Sequence, residues 1–563
     1  MSPAFRRASR CLLLALLVCP VRQAYQTNGH GAGPLDLDVE TLNAAELRNS
    51  IESGHLADLH CPNFAAYRTE LKAFYLHREY RPAWVKSGEA TPQALSVVHL
   101  FQHADEKGLV ADDYDALRWT ERLQKLHGAP SERETARFDL GVTVSLIRYV
   151  HDLHFGRANP NVVSLSFDVD GRKYELEEFL RERVIHAANP EGALAAVEPQ
   201  FPGYWKALEL LRAYKQMATR DEPERLPVPA KPVAPGRNYP GVGRLARLLR
   251  LIGDLPTDAQ TSSGSDAYEG DLVEAVKRFQ QRHGQTADAV IDSDLVKALN
   301  APLAQRVHQL TLILERWRWL SPPSSRARII VNLPEFTLYA IDADNRLALR
   351  RKVIVGGSHG HRSPIFEKEM KQVVFRPYWD VPPSIQRSEI VPHIENDRDY
   401  IAKKGFEVVT PEGVVVTDGT VNNDILARLK ARTLHVRQKP GPMNSLGLVK
   451  FVFPNEQSVY MHDTDAPKLF SRERRDLSHG CIRVEGAADL AAWVLRKNSG
   501  WDRDRVVAAM KGEHDNFAVQ LVQSVTVEIL YGTVAIDEEG KVSFFDDCYG
   551  YDAELEAALA GGS

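Results

Sequence analysis

Cysteine is scarce in this chain: five in 563 residues, at positions 11, 19, 61, 481 and 548. Neither sign of charge dominates either, since 70 Lys+Arg stand against 75 Asp+Glu for a net −5. A nucleic-acid binder with its basic face is thereby disfavoured, and no RNP, zinc-finger or basic-helix pattern is present. Long apolar runs are lacking as well. The run from Cys11 to Val18 is the notable one and is too short to cross about 30 Å of hydrocarbon, which excludes a multi-span membrane protein. Composition at 44% hydrophobic and 26% charged excludes bulk disorder and collagen-like repeats. What is there is globular material for about three or four domains.

Arg6, Arg7 and Arg10 precede that apolar run. A basic region followed by a short apolar one reads as a secretory signal peptide, residues 1–24, with Ala24 at the cleavage point; an uncleaved anchor is the alternative. Arg22 fits the small-residue rule poorly, and Val18 is too large for a lipoprotein box before Cys19. Removing the signal leaves Cys61, Cys481 and Cys548. A disulfide framework wants an even count, so at least one exported thiol stays unpaired and is a candidate for chemistry. Cys61 and Cys548 are expected to be inert or paired with each other.

Residues 35–222 read as a helical scaffold domain. Stretches such as Leu71–Tyr80, Pro92–Lys107 and Phe138–Leu153 carry apolar residues at three- and four-residue spacing. The stretch 223–240 holds six prolines and reads as an extended linker. In 241–302, Val242, Leu245, Leu248, Leu249 and Ile252 form one helical stripe and Leu272, Val276 and Phe279 another. Asp292 or Ser293 can cap a third helix that carries Leu295 and Leu299. Asp271–Gln280 with His283-Gly284 and Ile291–Leu295 resembles a small three-helix peptidoglycan-binding module, with the loop between Leu255 and Gly270 as an insertion. A plain packing unit that binds nothing is the competing reading.

Beyond Pro322-Pro323 the period changes to that of strands, at Arg328–Leu333, Phe336–Ile341, Arg351–Val355 and Gln372–Phe375. A β-sandwich or closed sheet over 325–510 is expected, interrupted at about 378–439 by a lid-like insertion and followed by a C-terminal β/tail segment, 511–563. Ala487–Leu495 reads as a helix. The fold class is thus multidomain α+β: helical scaffold, small three-helix module and mainly-β catalytic domain with an inserted lid.

The sharpest signal is Ser478-His479-Gly480-Cys481-Ile482-Arg483, preceded by Tyr460-Met461-His462-Asp463. A nucleophilic thiol needs a base or a cationic surrounding. His479 lies two residues before Cys481, and His462 nineteen before it, where a neighbouring strand must bring it across. Arg483, two residues beyond, adds positive charge for the thiol or for an anionic substrate group. Gly480 leaves room for a carbonyl beside backbone N–H donors. No zinc-spaced His/Cys/Asp set is present, so no metal or cofactor is expected.

These residues resemble the catalytic motif of the L,D-transpeptidases, the YkuD-type family, in its large periplasmic YcbB-like branch. Val331–Tyr339, Arg376–Ile385, Arg437–Pro442, Lys450–Asn455 and Asp546–Gly550 extend the likeness, as does Tyr80–Trp84 in the helical region. The resemblance implies Cys481 as nucleophile, His462 as general base and acid, and the Asp463 backbone carbonyl as the group orienting His462. It implies His479 and Gly480 at an oxyanion hole and Arg483 on the substrate side. Tyr460 and Ser478 would line the pocket, and Tyr378, Trp379, Arg437 and Gln438 would be lid contacts to the peptide. The implied reaction is a 3→3 cross-link between peptidoglycan stem peptides through a thioester, with D-Ala released from a tetrapeptide donor. A carboxypeptidase using water, or a ligase using an outer-membrane protein's lysine, keeps the same acyl-enzyme. A non-catalytic wall-binding scaffold is the reading of another class. Stem peptides are the expected partners, with glycan-strand synthases and other wall enzymes beside them and no nucleic acid. The expected location is the periplasm, peripheral to the inner membrane at most.

Overall fold

The computed structural model describes residues 36–163, 174–260, 265–321, 325–358 and 360–561. The expected signal, Cys11, Cys19 and Pro322-Pro323 lie outside the described residues. Among those described, no helix is long and apolar enough to cross a membrane.

The helical region packs around α1 (Glu132–Phe155), which starts at a capping box between Ser131 and Glu134. Its inward residues, Leu140, Val144, Ile147 and Val150, have no exposure and join Phe74, Trp84, Phe101 and Trp119 in one core. α2 (Pro202–Ala218) leaves that core and packs on a later helix. The small module follows with α3 (Val242–Leu251), α4 (Asp271–Arg282) and α5 (Ser293–Leu299), the last capped by the Asp292 side chain. The stripes anticipated from spacing are its core. The proline stretch is not a free connector: Leu226 and Tyr239 are buried in the module, and Val233 pairs with Ile291. α6 (Leu303–Arg318) then returns against α2.

The β-rich region opens with β1 (Arg328–Asn332), β2 (Thr337–Ile341), β3 (Leu347–Gly356) and β4 (Phe366–Phe375). The insertion follows, with β5 (Trp379–Asp380), β6 (Phe406–Val409), β7 (Val415–Thr417), α7 (Asn423–Lys430) and β8 (His435–Gln438). It forms a separate sheet in the order β5-β8-β6-β7. Its own core includes Ile394, Val408, Leu429 and Val436, so this lid is a small folding unit rather than a loop. The main sheet resumes with β9 (Val449–Val452), β10 (Met461–His462), β11 (Asp476–Ser478), β12 (Ile482–Val484), α8 (Ala487–Leu495) and β13 (Phe517–Leu530).

The order is β11-β3-β12-β10-β9-β4-β13-β1-β2, and β2 pairs again with β3. The sheet therefore closes, which removes its exposed edges. β3 serves both neighbours: Leu347–Lys352 pair with β2, and Val353 and Ile354 pair with β12. The segment past residue 510 is no appendage, because β13 lies between β4 and β1. Cys61 and Cys548 are both free, which overturns the expectation that they could pair with each other.

The far C-terminus also anchors a loop. The Tyr549 hydroxyl donates to the Gly356 carbonyl at 2.5 Å and accepts from the Ser363 N–H at 3.2 Å. Ser363 is fully buried; its Oγ accepts from the Gly356 N–H at 2.9 Å and donates to the Gly480 carbonyl at 2.7 Å. Tyr549→Phe leaves these buried partners short of a hydrogen bond and should cost about 1–3 kcal/mol of stability in urea denaturation. An unchanged unfolding midpoint and slope would remove the buttress role.

Candidate active site

Alternation on paired strands builds the site. Met461, Ile482 and Val484 are fully buried in the sheet's core. Their neighbours Tyr460, His462, Cys481 and Arg483 therefore turn to the opposite face. β10 and β12 run parallel, with Met461 opposite Ile482 and His462 opposite Arg483. The Ile482 N–H donates to the Tyr460 carbonyl at 3.1 Å, which sets Cys481 beside Tyr460 and diagonal to His462. On β9, Lys450 stands opposite His462 on the same face.

His462 is 4% exposed, and its Nδ1 lies 2.6 Å from the Asp463 carbonyl. A carbonyl only accepts, so Nδ1 carries the proton and Nε2 is the free base. Burial pushes the imidazole pKa down to about 3, aided by the charges of Arg483 and Lys450 and opposed by the Asp463 carbonyl. The Asp463 carboxylate has a different task. It accepts the Leu448 N–H at 3.0 Å and fills the space where a Cβ on Gly447 (φ +61°) would sit. Burial raises its pKa.

Burial also pushes the Cys481 thiol up; the Tyr460 main chain and hydroxyl, Lys450 and Arg483 pull the other way. Burial pushes the Tyr460 phenol up, with Cys481 adding to the rise and Trp379 opposing it, so its side chain lies beside both. Trp379 is half-buried against the lid core and lies beside Tyr460.

The loop before the nucleophile differs from expectation in one respect. The Ser478 hydroxyl donates to the Cys481 carbonyl and accepts the Gly480 N–H at 3.2 Å. Ser478 is thus a buried staple of the loop rather than a substrate contact, and the Gly480 N–H is spent within the protein. Gly480 is needed for its backbone, since φ is +115°. The Cys481 N–H has no acceptor among the described residues. His479 is exposed and reaches the lid, with Nε2 2.6 Å from Glu389 Oε1 and its ring edge-on to His361 at 4.7 Å.

Two expected lid contacts are already engaged. The Gln438 amide is buried and donates to the Lys404 and Met443 carbonyls, while its oxygen accepts the Ser445 N–H. It closes the turn after β8 and offers no atom to a peptide. Arg437 is bonded to the buried Glu407 carboxylate, with its guanidinium 4.2 Å over the Tyr378 ring. Tyr378 and Arg437 therefore stiffen the base of the lid.

Lys450 and Glu389 were missed by sequence reasoning. Lys450 had one signal, a lone cation in the apolar strand Val449–Val452. Glu389 had none, because its partner His479 is ninety residues away. Elsewhere, His60, Cys61 and Asp113 are the one donor cluster of metal-site size among the described residues. Arg157 already pairs with Asp113 at 2.6 Å, and the Arg148 guanidinium bonds the Asp113 and Cys61 carbonyls, which disfavours a cation. A cavity of about 1040 Å³ where scaffold, module and sheet meet shares no lining residue with the thiol face.

The comparisons follow the same division. The family model described as "L,D-transpeptidase catalytic domain" matches residues 326–509, "Scaffold domain" matches 69–211, and "Putative peptidoglycan binding domain" matches 238–299. A curated Haemophilus influenzae protein named "Putative L,D-transpeptidase" is 31% identical over 237 residues, 42% of this chain and 47% of that one. The match thus spans about half of the relative's length. Two solved L,D-transpeptidase structures also match. The one from Xylanimonas cellulosilytica has 15% identity and TM-score 0.17, covering 54% of this chain and all of that one. The one from Stackebrandtia nassauensis has 12% identity and TM-score 0.21, covering 55% and 97%. TM-scores this low carry no structural weight. Residues 326–509 thus match the catalytic domain of the L,D-transpeptidases, beside matches to a peptidoglycan-binding-type module and a scaffold domain.

With a raised thiol and a lowered imidazole, the resting pair is neutral rather than an ion pair. Alkylation of Cys481 by iodoacetamide should therefore climb about tenfold per pH unit from about pH 7 to 9. A rate plateau below about pH 8 would instead reveal a standing thiolate.

Proposed function

We propose that this protein is an exported peptidoglycan L,D-transpeptidase that acts in the periplasm and forms 3→3 cross-links. The observation that carries the reading is the juxtaposition of Cys481, Tyr460, His462 and Arg483 on one face beneath a lid, inside a domain of that family. In this reading the Cys481 sulfur attacks the carbonyl carbon of the third stem residue while Nε2 of neutral His462 takes the thiol proton. The oxyanion forms near the Cys481 N–H and the Tyr460 hydroxyl, the two donors that the loop geometry leaves for it. His462 then returns the proton to the departing D-Ala nitrogen, leaving a thioester. An acceptor side-chain amine attacks the thioester carbonyl, passes its proton through His462 and restores the thiol. The Asp463 carbonyl stabilises the imidazolium formed in each half.

The module and scaffold would hold the enzyme on its polymer, with glycan-strand synthases or other wall enzymes as partners. Water or a protein lysine as acceptor gives the carboxypeptidase and ligase readings. The Glu389–His479 contact favours the cross-linker, because a lid tied to the loop that carries Cys481 would exclude water from the thioester.

The deciding experiment incubates protein lacking the signal with a disaccharide-tetrapeptide and follows products by mass spectrometry. A dimer with loss of one D-Ala is expected, and Cys481→Ala should abolish it. Tripeptide without dimer would replace the reading by the carboxypeptidase, and dimer formed by Cys481→Ala would sink the nucleophile. Glu389→Gln should raise the tripeptide-to-dimer ratio several-fold by loosening the lid; an unchanged ratio would mean that this contact does not gate water.

A further inference from the structure

Lys450 has no task in the reaction just described. Val449 and Phe451 on either side of it are fully buried, so its side chain leaves on the catalytic face. The ammonium nitrogen lies 3.7 Å from the centroid of the Tyr460 ring, and Tyr460 is the residue beside Cys481 across the paired strands. The side chain is half-buried, yet among the described residues no carboxylate lies within 4.0 Å of its nitrogen. Arg483 on the other side of His462 is in the same condition: its Nε is buried with no hydrogen-bond partner. Asp380 and Asp465 act on the two cations only through space.

An ammonium withdrawn from water without a counter-ion is costly, and burial lowers the Lys450 pKa accordingly. Two unpaired cations on one face, flanking His462 and close to Cys481, are complementary to an anion. The short reach from Tyr460 to the thiol limits which anion qualifies. In the donor stem of the proposed reaction, on which this inference rests, the leaving residue's terminal carboxylate is three bonds from the scissile carbonyl carbon, within about 4 Å. The distal carboxylate of the third residue's side chain lies several bonds further out.

We propose that Lys450 and Arg483 form a carboxylate subsite that holds the terminal carboxylate of the departing D-amino acid. Lys450 is then a length gauge. A stem ending at the fourth residue presents its charge to the ammonium, whereas a stem one residue longer presents a neutral amide there.

The test compares wild type, Lys450→Met and Lys450→Arg on three donors: the tetrapeptide acid, its terminal carboxamide, and the acid with the distal side-chain carboxylate amidated. Wild type should release the terminal residue from the acid about 10–100-fold faster than from the carboxamide, the range for a charged hydrogen bond. Lys450→Met should lose most of that preference, Lys450→Arg should keep part of it, and amidating the distal carboxylate should matter little. Equal losses on acid and carboxamide would overturn the proposal, as would a preference that follows the distal carboxylate.

A second measurement does not depend on the cross-linking reading. The ratio of iodoacetate to iodoacetamide alkylation rates at Cys481 reports attraction of a carboxylate to the thiol, and both reagents need the same thiolate. Lys450→Met should lower that ratio about tenfold; an unchanged ratio overturns the subsite even in an enzyme that cross-links. A lowered ratio in a protein that releases no D-Ala would keep the subsite and discard the donor.

Discussion

The parallel pairing of two very short strands is the constraint on which the site depends. Met461, Ile482 and Val484 are driven into the core because they are apolar. Given that burial, period-two alternation leaves Tyr460, His462, Cys481 and Arg483 one common direction. The register then decides which of them meet, and a one-residue slip would turn the nucleophile into the core. Such short strands cannot hold this register by their own hydrogen bonds. Closure of the sheet around them through β3 supplies what they lack, since β3 is long enough to pair with β2 in one half and β12 in the other.

The Ser478–Cys481 loop is held from beneath by a relay of hydroxyl groups. Tyr549 fixes the Gly356–Ser363 turn, Ser363 fixes the Gly480 carbonyl, and Ser478 fixes the Gly480 N–H and the Cys481 carbonyl. Both polar groups of the Gly480 main chain are therefore consumed internally. The glycine's role is conformational, and the donor left for chemistry is the amide of the nucleophile itself. From above, the lid touches the same loop through Glu389 on His479, and its Trp379 lies beside Tyr460. Loop and lid thus meet at residues adjacent to the reacting atom.

Much of this was legible from residues alone, for identifiable reasons. The helical stripes of the module and the alternating strands of the sheet are local patterns, and they form the cores anticipated for them. Cys481 and His462 stood out as a pair because the cysteine sits among polar and cationic neighbours, and the structure brings the two onto one face. What was not legible depends on tertiary partners. Nothing local distinguishes a Ser478 that staples a loop from one that faces substrate, or a Gln438 that closes a turn from one that reads a peptide. The six prolines marked a stretch without helix or long strand but not its burial, because Leu226 and Tyr239 find their partners in the module that follows. The separate lid core was hidden in a mixed pattern in which no single element is long enough to announce itself.

The electrostatics of the site form one coupled system. His462 is depressed to about 3 first by burial and then by Arg483 and Lys450, the cations that have no counter-ion of their own. A base so weak is poorly matched to a thiol that burial has raised. Burial is the larger part of that mismatch, and the charges of Arg483 and Lys450 add to it on the histidine side. An anion placed against Arg483 and Lys450 would cancel the repulsion that disfavours imidazolium, and His462 would become a stronger base when that group is bound. Until then the sulfur stays protonated, the less readily oxidised form. Substrate recognition and activation of the nucleophile would thus be the same electrostatic event, in which charge brought by the ligand releases the histidine to accept a proton.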